Sequence, residues 1–125
     1  MTKPLTSKRL AGDRFEQQAC DALVRTGLAV ITRNFNTRFG ELDLVMRDGA
    51  TVVFVEVRYR RSLRFGGAIA SVTRKKQARL IRAAQCFLIA HPVHARRPCR
   101  FDVVGFHGDG ASEDMQWLRA AFEAS

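Results

Sequence analysis

The strongest constraint on this chain is a pair of apolar runs that carry acids, Gly40-Glu41-Leu42-Asp43-Leu44 and Phe54-Val55-Glu56-Val57-Arg58, with Arg47-Asp48-Gly49-Ala50 between them. Residues 41 to 46 and 51 to 58 are rich in Val, Leu and Phe, and an Asp-Gly pair between such runs signals a two-residue hairpin turn. With Asp48 and Gly49 in the turn, position 47 pairs with 50, 45 with 52, 43 with 54 and 41 with 56. Alternation then places Glu41, Asp43 and Val45 on one face with Val52, Phe54, Glu56 and Arg58. The opposite face, Leu42, Leu44, Val53, Val55 and Val57, is purely apolar. Glu41 stands opposite Glu56 with Asp43 on the diagonal, and like charges so placed destabilise a bare sheet. A surface hairpin could solvate its acids, but Val45, Val52 and Phe54 on the acidic face place the carboxylates at the rim of a core. There they cost free energy unless something compensates them. A hard divalent cation, Mg²⁺ or Mn²⁺, is the natural counter-charge, since it takes carboxylate oxygens together with waters and substrate phosphate. Phosphoester chemistry is what such a site supports.

Charge points towards the substrate. Lys and Arg number 21 against 12 Asp and Glu, a formal charge of +9 on 125 residues. The cations are not spread evenly: Arg58, Arg60, Arg61, Arg64, Arg74, Lys75, Lys76, Arg79 and Arg82 follow directly on the acidic hairpin. A basic rim beside an acidic pocket suits a phosphodiester backbone, with Arg60, Arg61, Arg64, Arg74, Lys75, Lys76 and Arg79 as candidate phosphate contacts. Nucleic acid, DNA in the first instance, is the expected partner; the plainer alternative is a solvated basic face. Phe39 and Phe65 lie beside Arg38 and Arg64, a pairing that either stacks on bases or anchors loops.

Other chemistry has little support. His91, His94 and His107 lie far from the hairpin, and no Cys-x-x-Cys pair exists to build a zinc site. Cys20, Cys86 and Cys99, an odd and widely spaced set, fit reduced thiols rather than a disulfide framework. No apolar run approaches the roughly 20 residues of a membrane helix. The start of the chain lacks a signal-peptide core, so the expected location is the cytoplasm.

The pattern predicts one α/β domain over residues 1–125. A helix runs from about Ser7 to Thr26 with Gly27 as its stop, and Leu28 to Phe35 is a first strand. The hairpin follows. Residues 62 to 71 read as a mobile Gly-Gly loop, and a second helix spans about Val72 to Ala90, stopped by Pro92. Cys99 to Phe106 is a fourth strand, Gly108-Asp109-Gly110 a turn or flexible segment, and Met115 to Phe122 could be a short strand followed by a helical turn, which the sequence does not decide. Asp102 is expected to pair structurally with Arg100 or Arg33, and Trp117 to pack at the core or sheet edge.

Several motifs in this order carry a resemblance. Gly12-x-x-x-Glu16, Arg33-Asn34, Gly40-Glu41-Leu42-Asp43-Leu44, Phe54-Val55-Glu56-Val57-Arg58-x-Arg60, Lys76 and Arg100-Phe101-Asp102-Val103-Val104 together resemble the YraN family of bacterial proteins. That family looks like a member of the PD-(D/E)xK nuclease superfamily. The resemblance implies a restriction-endonuclease-like core, a mixed β-sheet flanked by helices in the order α-β-β-β-α-β, with metal-dependent phosphodiester cleavage as its chemistry. On this resemblance Asp43 and Glu56 are the motif acids that hold Mg²⁺ or Mn²⁺, Glu16 is an additional carboxylate near the metal, and Glu41 a neighbouring acid. The chain departs from the pattern at Arg58, where the family's triplet has lysine. A guanidinium keeps its proton in proteins and cannot act as a general base, but its planar fork suits a phosphorane. Lys75 or Lys76 could supply the amine instead. Two functions follow: a metal-dependent endonuclease on branched or single-stranded DNA with Asp43, Glu56 and Arg58 as catalytic residues, or a non-catalytic DNA-binding module of the same fold. A homodimer would suit cutting two strands, and the sequence leaves the oligomeric state open.

Overall fold

A computed structural model describes residues 7–108 and 113–124, with side chains for 12–108 and 114–124. Of the turn read at Gly108-Asp109-Gly110, Asp109 and Gly110 lie outside these ranges, as do the first six residues.

Helix α1, Ser7–Arg25, buries Phe15, Ala19, Cys20 and Leu23, the spacing that aligns side chains on one helical face. It stops as the sequence predicts. Gly27 adopts φ 106°, Leu28 N–H reaches back to Leu23 O and Gly27 N–H to Val24 O, a glycine-terminated C-cap closed by the buried Leu28. Strands β1 (Ala29–Thr37), β2 (Gly40–Asp48) and β3 (Thr51–Arg60) form an antiparallel meander. Strand β4, Cys99–Gly108, pairs parallel with β3, and β5, Glu113–Phe122, pairs antiparallel with β4. The five-stranded mixed sheet has the order β1-β2-β3-β4-β5. The parallel pair requires a crossover, and the chain supplies it with a short helix α2, Gly67–Ala70, and the long α3, Arg74–Ala90.

One core lies on each face of the sheet. Phe15, Ala19, Cys20 and Leu23 of α1 pack on Leu44, Met46, Val53, Val55, Val104 and Phe106. Ala83, Ala84 and Phe87 of α3 pack on Leu42, Val45, Val52, Phe54 and Phe101. Valines and phenylalanines therefore alternate between two buried faces along β3, which is why the run reads as almost continuously apolar. The result is an α/β fold with helices on both faces of a mixed sheet, consistent with a restriction-endonuclease-like core.

Four sequence expectations are corrected. The hairpin turns at Gly49-Ala50, with Asp48 paired to Thr51 and Val45 to Phe54, so each partner is shifted by two residues. Gly49 at φ 59° meets the left-handed demand of this turn, which an aspartate at the first position of the loop would meet less well. Residues 62 to 71 are not an unpacked loop: a 3₁₀ turn, Arg64–Gly66, leads into α2, and Gly67 and Ala68 are buried. Helix α3 starts at Arg74 behind Thr73, whose hydroxyl accepts Lys76 N–H at 3.3 Å, rather than at Val72. The last segment is a full fifth strand, so the core order gains a β-strand after the predicted α-β-β-β-α-β.

Candidate active site

The paired segments of β2 and β3 part beyond Leu44 and Val55. Asp43 sits at the parting point and its carboxylate, not a backbone carbonyl, accepts the N–H of Val57 at 2.9 Å. Here β2 also turns over: Leu42 belongs to the core under α3 whereas Leu44 belongs to the core under α1. Strict alternation would have put both on one face, so the uninterrupted Leu42 to Val57 apolar face expected from the sequence is broken at its first residue. Across from Asp43 on β1, Asn34 adopts φ 52°, a left-handed conformation that asparagine tolerates better than most residues. This local irregularity brings side chains of three elements together. Asn34 Nδ2 donates to Glu16 Oε2 of α1 at 3.0 Å and to Glu41 Oε1 of β2 at 2.9 Å.

Glu16, Glu41 and Asp43 each offer an oxygen within 4.8 Å of the others. Three carboxylate oxygens gathered this closely could hold a hard divalent cation, as donor set and as charge. Glu56 is not one of the three. It stands opposite Asp43 instead of Glu41, hydrogen-bonds the Asp43 carboxyl, and pairs with Arg58, whose Nε lies 3.4 Å from Glu56 Oε1. Burial, then the Glu56 charge, push Asp43 up to about 9 from 3.8, with Glu16 adding to the effect. Glu56 is also raised, by burial, while Arg58 and Lys76 pull it back. A proton shared within this pair does for the protein what a cation would do: it cancels like charge in a low-dielectric corner.

A cavity of about 180 Å³ opens beside the acids, lined by Glu41, Glu56, Arg58, Lys76 and Arg79, with Phe39 at its wall. Arg58 Nε is buried, and although it lies 3.4 Å from Glu56 Oε1 it makes no well-formed hydrogen bond among the described residues. Of the two helix lysines read as substitutes for the motif lysine, Lys76 lines this cavity and Lys75 is exposed. Burial and the neighbouring Arg58 and Arg60 lower the Lys76 pKa. A polar cleft of about 580 Å³ continues on the α1 side past Glu16, Gln17, Arg33 and Asn34. The remaining cations divide: Arg79 lines the acidic cavity, Arg60, Arg61 and Arg64 line a cleft at the end of β3, and Arg74 lies elsewhere, beside Gln77, Ile81 and Glu123.

Asn34 was legible only as part of a quoted motif, with no role read for it. Its signal was an asparagine, a residue that tolerates left-handed backbone, inside a run read as a strand. Phe39 is partly buried under the Arg38 and Arg82 guanidiniums, 4.8 and 5.4 Å from its ring centroid. Asp102 is wholly buried and structural as expected, accepting from Arg100 Nε, Trp117 Nε1 and Ala120 N at 3.0 Å each. Arg33 turns instead to Gln17, at 2.7 Å.

Fold and site together define a class: an α/β protein whose mixed sheet, flanked by helices, gathers a carboxylate cluster able to hold a metal ion where two strands diverge. Within that class, the chain belongs to the Uncharacterised protein family UPF0102, whose model matches residues 15–106. It is 50% identical over 120 residues to a UPF0102 protein of Stutzerimonas stutzeri, covering 96% of this chain and 100% of that one. It is 48% identical over 119 residues to a UPF0102 protein of Alcanivorax borkumensis, covering 94% and 95%. A UPF0102 protein of Nitrosococcus oceani is 49% identical over 120 residues, with 96% of each chain covered.

Proposed function

We propose that this protein is a Mg²⁺- or Mn²⁺-dependent endonuclease acting on DNA. The observation that carries the reading is one juxtaposition: the carboxylates of Glu16, Glu41 and Asp43 on one side, and the cation-lined cavity of Arg58, Lys76 and Arg79 on the other, with Glu56 between them. Asp43, Glu16 and Glu41 would hold the ion, with Glu56 completing the set through Asp43. When bound, that ion supplies charge stabilisation and makes water easier to deprotonate. The chain's own groups do the rest. Arg58, lining the cavity, presents its guanidinium to a phosphate oxygen and stabilises the charge that grows there. Among the described residues Lys76 is the amine lining the cavity, a cation able to exchange a proton with the attacking water or the leaving oxygen. Arg60, Arg61, Arg64 and Arg79 extend the positive surface along which a phosphodiester backbone would lie; Lys75 and Arg74 contribute long-range attraction.

Cleavage of labelled duplex, single-stranded, flap and four-way-junction DNA with Mg²⁺ or Mn²⁺ tests this. Asp43→Asn and Glu56→Gln are expected to lower cleavage by roughly a hundredfold or more while leaving DNA affinity within a few-fold. Cleavage that survives both substitutions in a clean preparation would remove the site from the mechanism. The second reading, a binding module without chemistry, is favoured by Arg58 in place of a lysine. It predicts salt-sensitive DNA retention with no cutting, and no gain of cutting in Arg58→Lys. Absence of binding even at low salt would sink both readings.

A further inference from the structure

The segment that follows β3 contains a feature the acidic site does not use. Phe65 is 94% exposed, and its backbone sits in the left-handed region at φ 56°, ψ 32°. A bulky residue rarely adopts that conformation, and a benzyl ring gains nothing from water. The surrounding structure holds it there. Gly66 and Gly67 have φ of 85° and 68°, and a Cβ at Gly67 would overlap the His107 ring. Next in the chain, Ala68 N–H donates to His107 Nε2 at 2.8 Å inside the protein, fastening the segment to β4. Phe65 is thus an exposed ring on a clamped backbone. It forms a wall of a cleft of about 550 Å³ whose charged lining, among the described residues, is Arg60, Arg61 and Arg64. The Arg64 guanidinium lies 5.8 Å from the Phe65 ring centroid.

We infer that Phe65 is a stacking platform for an unpaired nucleobase, with Arg60, Arg61 and Arg64 holding the phosphates that flank it. This rests on the nucleic-acid reading above and deepens it by naming the substrate class: strands with unstacked bases, as in single-stranded or branched DNA. Any base offers a π-face, so such a platform selects unpaired over paired structure rather than sequence. Its place fits the acidic site. Arg60 lies four residues beyond Glu56 on the same strand, about 13 Å at the usual rise, so one strand can engage both. An apolar side chain of a protein partner is the competing occupant, but it would leave three arginines without counter-charge.

The test compares wild type, Phe65→Ala, Phe65→Leu and Phe65→Trp by fluorescence anisotropy on a labelled single-stranded DNA, an RNA strand of the same sequence and a blunt duplex, with 2-aminopurine in the single strands reporting stacking. Because the ring is solvent-exposed, all four proteins are expected to melt alike. Affinity for unpaired strands should fall roughly tenfold or more in Phe65→Ala and Phe65→Leu, and be kept in Phe65→Trp, with little change on the duplex. Quenched 2-aminopurine emission should follow the same order. The two single strands show which sugar is accepted, and dependence on Phe65 with either supports the platform. Salt-sensitive DNA binding that is equal in wild type and Phe65→Ala would overturn the platform while leaving the nucleic-acid reading intact. Equal losses on strand and duplex, or full retention by Phe65→Leu, would overturn stacking. No binding of any probe by wild type would overturn both.

Discussion

At Asp43, burial and neighbouring charge act in the same direction. The raised pKa makes the folded, metal-free protein a better proton binder than its unfolded chain between 3.8 and about 9. Stability therefore falls as pH rises through that window and levels off above it, because the unfolded carboxyl ionises freely while the folded one must ionise beside Glu56. The apparent melting temperature in a chelator should drop by at least about 5 °C from pH 5 to pH 8. Asp43→Asn should flatten most of that slope. Mn²⁺ must displace the proton to bind, so it should raise the melting temperature more at pH 8 than at pH 5. A metal-free melting temperature that rises between these pH values would contradict the buried-pair electrostatics described here.

Elements place these residues by how they start and stop. Helix α3 delivers Lys76 and Arg79 to the acidic cavity from its first two turns, so its cap bears on the site as well as on stability. Thr73→Ala removes the hydroxyl that accepts Lys76 N–H and should cost about 1 kcal/mol, read as a lower urea midpoint with an unchanged slope. Much of this level was legible. Helix α1 was readable from Leu23, Gly27 and the pattern between Phe15 and Ala22. The hairpin turn was displaced by one residue, which moved each pairing by two, and because the side-chain period is also two, the faces of β3 came out right. What could not be read was the turnover at Asp43. A strand's faces follow from alternation only while its ladder is regular, and nothing in Leu42-Asp43-Leu44 announces that β2 and β3 part there.

Across the whole molecule, Asp102 is the hub of a buried network. It joins Arg100 of its own strand, Trp117 and Ala120 of β5, and, through Arg100, Asp48 at the tip of β2 at 2.8 Å. Asp102→Ala would leave Arg100 Nε and the N–H groups of Trp117 and Ala120 without their acceptor, Arg100 keeping only its bond to Asp48, and should cost roughly 3–5 kcal/mol in chemical denaturation. Asp102→Asn keeps the shape and part of the bonding, and should cost less. A loss under about 1 kcal/mol for the alanine would mean that the network adds little to what the sheet already holds. The fifth strand is tied to β4 by its backbone ladder and to Asp102 by these bonds, all to partners distant in sequence, so the segment from Met115 to Phe122 carries little local signal. Its partners lie on β4, and its own sequence, with Trp117 half-buried and Leu118 at 42% exposure, has no strong alternation to declare it a strand.

By itself the sequence determined the fold class, the helix that stops at Gly27, the apolar alternation of β3, the basic stretch after it and the presence of acids at the rim of a core. Each is a local matter of period, turn chemistry or composition, written in residues close together in the chain. Only the tertiary structure decided which acids meet. It joined Glu16 to Glu41 through Asn34, set Asp43 rather than Glu41 against Glu56, chose Lys76 over Lys75, and clamped the segment bearing Phe65 onto His107. Those choices depend on where a helix crosses a sheet and where two strands diverge, and distance through space is not written in the spacing along a chain.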